Sequence, residues 1–369
     1  MAYLRRLWLR DFRNYTHGDV HLAGGLTVFV GGNGEGKSNL LEAVYLTATG
    51  RSYRTAREWE VIRRGSNVCR VRAWVARRGR DEELEITVSR EAERTNIRMR
   101  VNGVEMSRGA VLGRLPVVIA GPWDLDLVRG ASGVRRRLLD GALSQLSPAY
   151  FFALHRYHRV VVQRNAELRR RRADGLEPWD AQLVALGVRI TARRADYVGR
   201  IAPHAAVWFA QFGGTGNLEV VYRPSWQGLS DEERTACAWA KLGRTRADEY
   251  QRGVTLSGPH RDEMEFLLDG VPLRVHGSQG QWRTAMLAVR LAERAVMAAE
   301  MGIRPVLLLD DALAELDPER QRRFLELQNE GQTLVTATTL PPLARSVQAF
   351  RVQAGTLLEG EWSLPSATF

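Results

Sequence analysis

Lysine is nearly missing from this chain. Of its 53 basic residues only Lys37 and Lys241 carry an ammonium, and all the others are arginine. Cysteine is equally scarce. Cys69 and Cys237 share no C-x-x-C spacing, so neither a disulfide framework nor a zinc site is indicated, and buried thiols are the simplest expectation. No apolar run approaches the ~20 residues needed to span a bilayer, and the opening MAYLRRLWLRDFRNY lacks the apolar core of a signal peptide. No membrane partner is therefore expected, and the cytoplasm is the expected compartment. No internal repeat is evident. What is abundant is positive charge, a formal +11. It points either to a polyanionic partner such as nucleic acid or to a composition driven by genome base content, and charge alone does not separate the two. With 369 residues, 44% of them hydrophobic, the chain can bury a sizeable core in two lobes.

One of the two lysines stands where an ammonium matters. Residues Gly31, Gly32, Asn33, Gly34, Glu35, Gly36, Lys37 and Ser38 read GGNGEGKS, between the β-branched apolar run LTVFV (Leu26–Val30) and the helical pattern NLLEAVYLTAT (Asn39–Thr49). That strand, loop and helix context fits a G-x-x-x-x-G-K-[ST] phosphate-binding loop. The glycines let backbone N–H groups approach phosphate oxygens at the positive end of the helix. Lys37 is expected to reach the β- and γ-phosphates of ATP and the Ser38 hydroxyl to ligate Mg2+. An otherwise arginine-based chain has kept the compact cation where a planar guanidinium would not fit.

The acidic partner lies near the other end. PVLLLDD (Pro305–Asp311) reads as a buried strand ending in two carboxylates, Asp310 to hold magnesium and Asp311 to polarise the attacking water. Nearly the whole chain separates the two elements, which predicts a nucleotide site assembled from both termini around an insertion. The expected division is a head formed by 1–125 and 255–369, interrupted by a helical arm over 126–254. Within the head, VRAWV, LEITVSR and IRMRVNGVEM read as strands with a hairpin turn at Asn102-Gly103, and MEFLLDGVPLRV repeats the device at Asp269-Gly270. These hairpins are expected beside the loop strand in one mixed sheet. In the arm, Leu154, Tyr157, Val161 and Leu168, then Leu183, Leu186, Ile190 and Tyr197, recur at helical steps. The connector Ala173–Pro178 predicts an antiparallel helical hairpin of ~24-residue helices, each spanning roughly 36 Å.

Ser278, Gln279, Gly280 and Gln281 precede an amphipathic helix from Trp282 to Glu300. Alone they read as an N-cap; beside both nucleotide motifs they resemble the signature loop of ABC-type ATPases, which contacts the γ-phosphate held by the opposite subunit. In Ala314–Pro318, Asp317 reads as an N-cap with Pro318 in the first turn. Thr336 and Thr338 follow the next strand, where ABC ATPases carry a histidine, and their role is open.

These segments, together with LRDFRNY (Leu9–Tyr15), GRSYRTAR (Gly50–Arg57), RRRLLD (Arg135–Asp140), SGPHRDE (Ser257–Glu263), GSQGQWRTAMLA (Gly277–Ala288) and LLLDDALAELD (Leu307–Asp317), resemble the RecF family of bacterial DNA replication and repair ATPases nearly end to end. The resemblance implies an α/β head of ABC/SMC type, a mixed sheet with helices and an inserted helical arm. It further implies an ATP-driven homodimer on double-stranded or gapped DNA, weak DNA-stimulated ATP hydrolysis, and cooperation with RecR and RecO in loading RecA. Trp123 stands where the family pattern has glutamate, and no glutamine precedes Gln145, so Asp124 or Asp126 is left to join the lobes. Asp311 replaces the glutamate of ABC ATPases, consistent with slow turnover. DNA phosphates are expected at Arg51, Arg54, Arg57, Arg63 and Arg64, and along Arg169–Arg172, since no base-reading module is present. His260 is expected to be structural. The alternative readings are a transporter nucleotide-binding subunit, and a nuclease with a similar head, which would need a further carboxylate-rich domain.

Overall fold

The computed structural model describes residues 2–77, 79–92, 94–170, 175–314, 316–327, 331–340 and 347–359. Contacts divide the chain into two units, 1–124 with 293–369, and 125–292. Residues 255–292 thus group with the helical unit, whereas the sequence division placed them in the head.

In the first unit a six-stranded sheet runs in the order Thr356–Glu359, Gln348–Gln353, Leu26–Val30, Thr333–Ala337, Val306–Asp310, Val117–Ala120. All pairs are parallel except the first. Leu26–Val30 and Val306–Asp310 are buried at every position, which is why they read as unbroken apolar runs rather than alternating ones. A second, wholly antiparallel sheet runs Tyr15–His21, Ala2–Phe12, Val68–Arg77, Arg80–Glu91, Arg94–Val101, Val104–Met106. The helix Lys37–Thr49 packs on strands of both sheets and buries Leu40, Leu41, Ala43, Val44, Leu46 and Ala48. Gln332, 2% exposed, ties the sheets together: its amide accepts from Leu4 N and donates to Leu4 O and Ala23 O, each at 2.8 Å.

The hairpins therefore do not lie beside the loop strand. Both edges of Leu26–Val30 are taken by Thr333–Ala337 and Gln348–Gln353, which arrive from the far end of the chain. Val68–Arg77 alternates buried and less buried positions, the pattern of a sheet with one face on the core. The Asp269-Gly270 hairpin belongs to a third sheet in the other unit, ordered Val271–Pro272, Glu263–Leu268, Leu218–Arg223. The turns themselves form as expected, with Asn102-Gly103 at φ 49° and 81° and Asp269-Gly270 at φ 52° and 76°.

The second unit contains helices Ser132–Leu146, Pro148–Arg170, Glu177–Gln211 and Asp231–Arg252. Pro148–Arg170 and Glu177–Gln211 pair as antiparallel neighbours, the latter extending over 35 residues, about 52 Å at ~1.5 Å per residue and longer than the sequence pattern suggested. Of the expected stripe, Tyr157, Leu168, Leu183, Ile190 and Tyr197 are buried, and Leu154, Val161 and Leu186 are half-buried. Arg164, fully buried, bonds Asp180 at 2.7 Å and Glu249 at 2.6 Å; Arg194 bonds Asp140 and the Pro259 carbonyl. Removing one partner from such a pair costs about 3–5 kcal/mol because a buried charge is left uncompensated. Cys69 is buried, which pushes its thiol up to about 12, whereas Cys237 is only half-buried. Among the described residues no helix is long and apolar enough to cross a membrane.

His260 sits within this second unit as a neutral side chain. Its Nδ1 lies 2.7 Å from the Tyr157 hydroxyl and its Nε2 3.1 Å from the Thr255 carbonyl, so the Nε2–H tautomer satisfies both nitrogens. Burial, and then the charges of Arg261 and Arg136, lower its pKa to about 4. An unfolded histidine titrates near ~6.5, so between these values the unfolded chain binds more protons than the folded one. Stability is full above the higher value and declines as pH falls through the window. Thermal unfolding between pH 7 and 5 should show this decline, and His260→Asn should flatten it; an equal slope in both proteins would contradict the assignment.

Candidate functional site

The loop Gly31–Ser38 is braced from outside by the LRDFRNY segment and by the turn at Ala354-Gly355. Asn14 donates from Nδ2 to the Glu35 carbonyl at 2.9 Å and accepts from Asn39 Nδ2 at 2.7 Å; the Tyr15 hydroxyl donates to the Gly36 carbonyl at 3.1 Å. Gly355 N donates to Glu35 O at 2.9 Å, and Ala354 N to the Glu35 carboxylate. Gly36 has φ 115°, and a Cβ there would meet Asn14 Nδ2 at 2.7 Å, so glycine is required both by conformation and by the close approach of LRDFRNY. Gly32, Asn33 and Gly34 form the exposed crest. Lys37 is 4% exposed, and its ammonium donates to the carbonyls of Gly31 and Gly32 at 2.9 and 2.8 Å.

The two ends of the chain meet beside this loop. Parallel register sets Asp310 opposite Thr336 and Thr336 opposite Phe29, so three strands end level at the start of the loop. Ser38 Oγ donates to Asp310 Oδ1 at 2.6 Å, 272 residues away in sequence. Thr336 Oγ1 donates to the same oxygen at 2.8 Å, and the Tyr53 hydroxyl to Oδ2 at 2.9 Å. Burial, then the charge of Asp310, raises the Tyr53 pKa far above the usual phenol range, so the group remains a donor. Asp310 thus sits at 4% exposure among three neutral hydroxyls, and no ion pair neutralises it among the described residues. Glu42 is its contrast: fully buried on the loop helix, it receives Arg13 bidentately at 2.9 and 2.6 Å, Ser52 at 2.5 Å and Arg54 at 3.4 Å.

This donor set fits magnesium. The ion takes hard oxygens, few of them from protein, and shares the rest with substrate phosphates and water. Ser38 and Asp310 would supply that protein share. Asp311 adds a second sign of a charged neighbour: it holds φ 50°, its N–H donates to Thr336 Oγ1 at 2.9 Å, and its buried Oδ1 has no hydrogen-bond partner among the described residues. Burial, then Asp310, raises its pKa. Backbone strain of this kind concentrates at functional sites.

Other expected residues are placed differently. Ser278 and Gln281 form a capping box, Ser278 N donating to Gln281 Oε1 at 2.8 Å and Gln281 N to Ser278 Oγ at 3.2 Å, while Gln279 and Gly280 are exposed at the start of the helix Gln279–Met301. Asp317 accepts from Arg320 N at 2.9 Å as the N-cap of Pro318–Leu327; Glu315 lies outside the described residues. Asp124 is buried and accepts from Gly121 N, whereas Asp126 is exposed. Arg51, Arg57 and Arg64 are exposed, and Arg63 lies 3.9 Å from Asp11. Arg54 is also exposed, but its guanidinium is engaged, donating to Asn39 Oδ1 at 2.6 Å and pairing with Glu42 at 3.4 Å. Arg169 and Arg170 are exposed, and Arg171 and Arg172 lie outside the described residues. Sequence reasoning missed Asn14, Glu42 and Tyr53; the segments LRDFRNY and GRSYRTAR were visible, but the long-range partners of these side chains were not.

A family model described as the RecF/RecN/SMC N terminal domain matches residues 3–356. The DNA replication and repair protein RecF of Synechocystis sp. is 41% identical over 97% of this chain and 98% of its own length, and that of Symbiobacterium thermophilum is 39% identical over 96% and 98%. Among solved structures, the recombination mediator protein RecF with ATP, of the RecFOR pathway, superposes with TM-score 0.90 at 28% identity, covering 97% of each chain. An Smc head domain derived from Pyrococcus furiosus, with TM-score 0.57 at 16% identity over 97% of this chain and 95% of its own, shares the fold.

Replacing Lys37 by Met keeps the buried aliphatic stem and removes the ammonium. Calorimetric titration with ATP should show affinity reduced by about 100-fold, the order expected from losing charge-assisted bonds worth ~3 kcal/mol, with little change in melting temperature. Unchanged affinity would remove Lys37 from the phosphate site.

Proposed function

This chain belongs to the RecF family of SMC-type DNA replication and repair ATPases, and on that premise we propose that it is an ATP-switched homodimer that clamps duplex DNA at gaps and junctions. Slow, DNA-stimulated hydrolysis to ADP and phosphate times release, and RecR and RecO are its partners in loading RecA. The observation that carries this reading is the meeting of Ser38 and Asp310 from opposite ends of the chain, with Lys37 beside them.

In this reading the loop Gly31–Ser38 cradles the phosphates, Lys37 contacts the β- and γ-phosphates, and Ser38 and Asp310 hold the metal. Magnesium, when bound, neutralises charge on the phosphate oxygens. Asp311 orients and polarises the attacking water, and its short side chain suits slow turnover. Ser278–Gln281, at a helix N-terminus with Ser278, Gln279 and Gly280 exposed, reads the γ-phosphate held by a second copy of the chain. ATP then sits between two protomers and closes the dimer. Arg51, Arg57 and Arg64, exposed on the segment after the loop helix, supply phosphate contacts to DNA, together with Arg63. Arg54 acts mainly within the head, because its guanidinium is held by Glu42 and Asn39.

Sedimentation of the protein with gapped duplex, with and without ATP, tests the clamp. The wild type should form a dimer on DNA only with ATP. Ser278→Arg should leave ATP binding by the monomer within about 2-fold, since the residue is exposed and outside the loop, yet abolish the ATP-dependent dimer. Dimers forming equally in this variant, or ATP binding lost in parallel with them, would contradict the trans-signature arrangement.

A further inference from the structure

Tyr53 is a polar side chain of the nucleotide site to which the proposed function gives no role. It lies in the segment just after the loop helix, with its hydroxyl 2.9 Å from Asp310 Oδ2 and 3.2 Å from the Ser38 carbonyl. Its ring packs against Trp123 in a tilted arrangement, at 4.6 Å and 37°, and meets Tyr45 edge-on at 5.5 Å. We propose that Tyr53 is the positioning residue of the metal site: its hydroxyl fixes the rotation of the Asp310 carboxylate, and Trp123 holds its ring in place.

An aspartate side chain is soft about its last bond. The terminal torsion of a carboxylate has no sharp staggered minima, so its plane swings unless both oxygens are held. Ser38 and Thr336 both bond Oδ1, which leaves Oδ2 as the oxygen that decides the plane. Tyr53 is its donor. A phenol has one proton, and here it has two acceptors, the strand-end carboxylate and the carbonyl of the loop residue that supplies the other metal oxygen. The same hydroxyl therefore joins both halves of the site. Groups that orient metal ligands in this way change metal affinity by about 10–100-fold when removed.

The support for the ring is built as specifically. Val117–Ala120 pairs in parallel with Val306–Asp310, Ala120 opposite Leu309, so the edge strand leaves the sheet level with Asp310. It turns at once through Pro122–Asp124, closed by Asp124 N to Gly121 O at 2.9 Å and Gly121 N to Asp124 Oδ2 at 3.2 Å. Trp123 folds back over that turn: a Cβ on Gly121 would fall 2.3 Å from its ring. Trp123 is thus seated against the tyrosine that bonds the Asp310 carboxylate.

This inference rests on the magnesium reading of Ser38 and Asp310, and the test separates the two. Tyr53→Phe keeps the ring and its packing and removes only the hydroxyl. ATP binding is measured by calorimetry in EDTA and across a magnesium titration, with melting temperature alongside. The expected result is a magnesium midpoint raised about 10-fold in Tyr53→Phe, with EDTA binding and melting temperature as in the wild type. Trp123→Leu, which frees the ring but retains the hydroxyl, should raise the midpoint less. An unchanged midpoint in Tyr53→Phe, an equal loss of binding with and without magnesium, or a large drop in melting temperature would each overturn the proposal. Asp310→Asn is the control: if its ATP binding keeps the wild-type magnesium dependence, the metal reading itself fails.

Discussion

Everything at this site depends on a buried carboxylate being held, with no cationic partner among the described residues, against a loop from the other end of the chain. Asp310 reaches Ser38 because Val306–Asp310 and Leu26–Val30 flank Thr333–Ala337 in parallel, with the three strands ending level. A slip of one residue would move Asp310 by about 3.3 Å, more than the reach of a hydrogen bond, and turn its side chain to the other face. The apolar runs that fill the sheet therefore do more than build a core; they set the register on which the site depends. A carboxylate at this depth among hydroxyls carries a desolvation cost that a bound divalent cation offsets. Glu42, equally buried a few residues along the loop helix, has its charge met by Arg13 and Arg54 instead. The contrast between these two acids marks one as architectural and the other as available to a metal.

The division of labour between the two cation types follows the same logic. Arginine serves wherever a planar fork meets carboxylates within the fold, as Arg13 does at Glu42, Arg164 at Asp180 and Glu249, and Arg194 at Asp140. Lys37 lies in the loop where a point charge fits under a turn of backbone, and its ammonium donates to the carbonyls of Gly31 and Gly32. Outside these pairs, Arg51 and Arg64 are exposed, and Arg57 and Arg63 lie 3.9 Å from Glu60 and Asp11.

Much of this was legible because it is local. Strand, loop and helix from Leu26 to Thr49, the two hairpin turns and the arm helices are written in short-range periodicity and turn chemistry. Sheet membership was not, because which strands flank Leu26–Val30 is decided by segments that arrive some 300 residues later in the chain. The same holds for side chains. Lys37 and Ser38 belong to a contiguous motif, whereas Tyr53 acquires its role only through Asp310, 257 residues away, and Asn14 only by packing on Gly36. Ser278 was legible as a cap, and the capping box is what the isolated protomer forms.

The central claim, that Ser38 and Asp310 act as one metal site, is tested most directly by a double-mutant cycle on magnesium-dependent ATP binding, using Ser38→Ala, Asp310→Asn and the pair. If the two oxygens serve one ion, the double variant should be no weaker than the worse single one, because either change already removes the shared interaction. Losses that add across the cycle would show that the two residues act independently, and the site would not be the one assembled here.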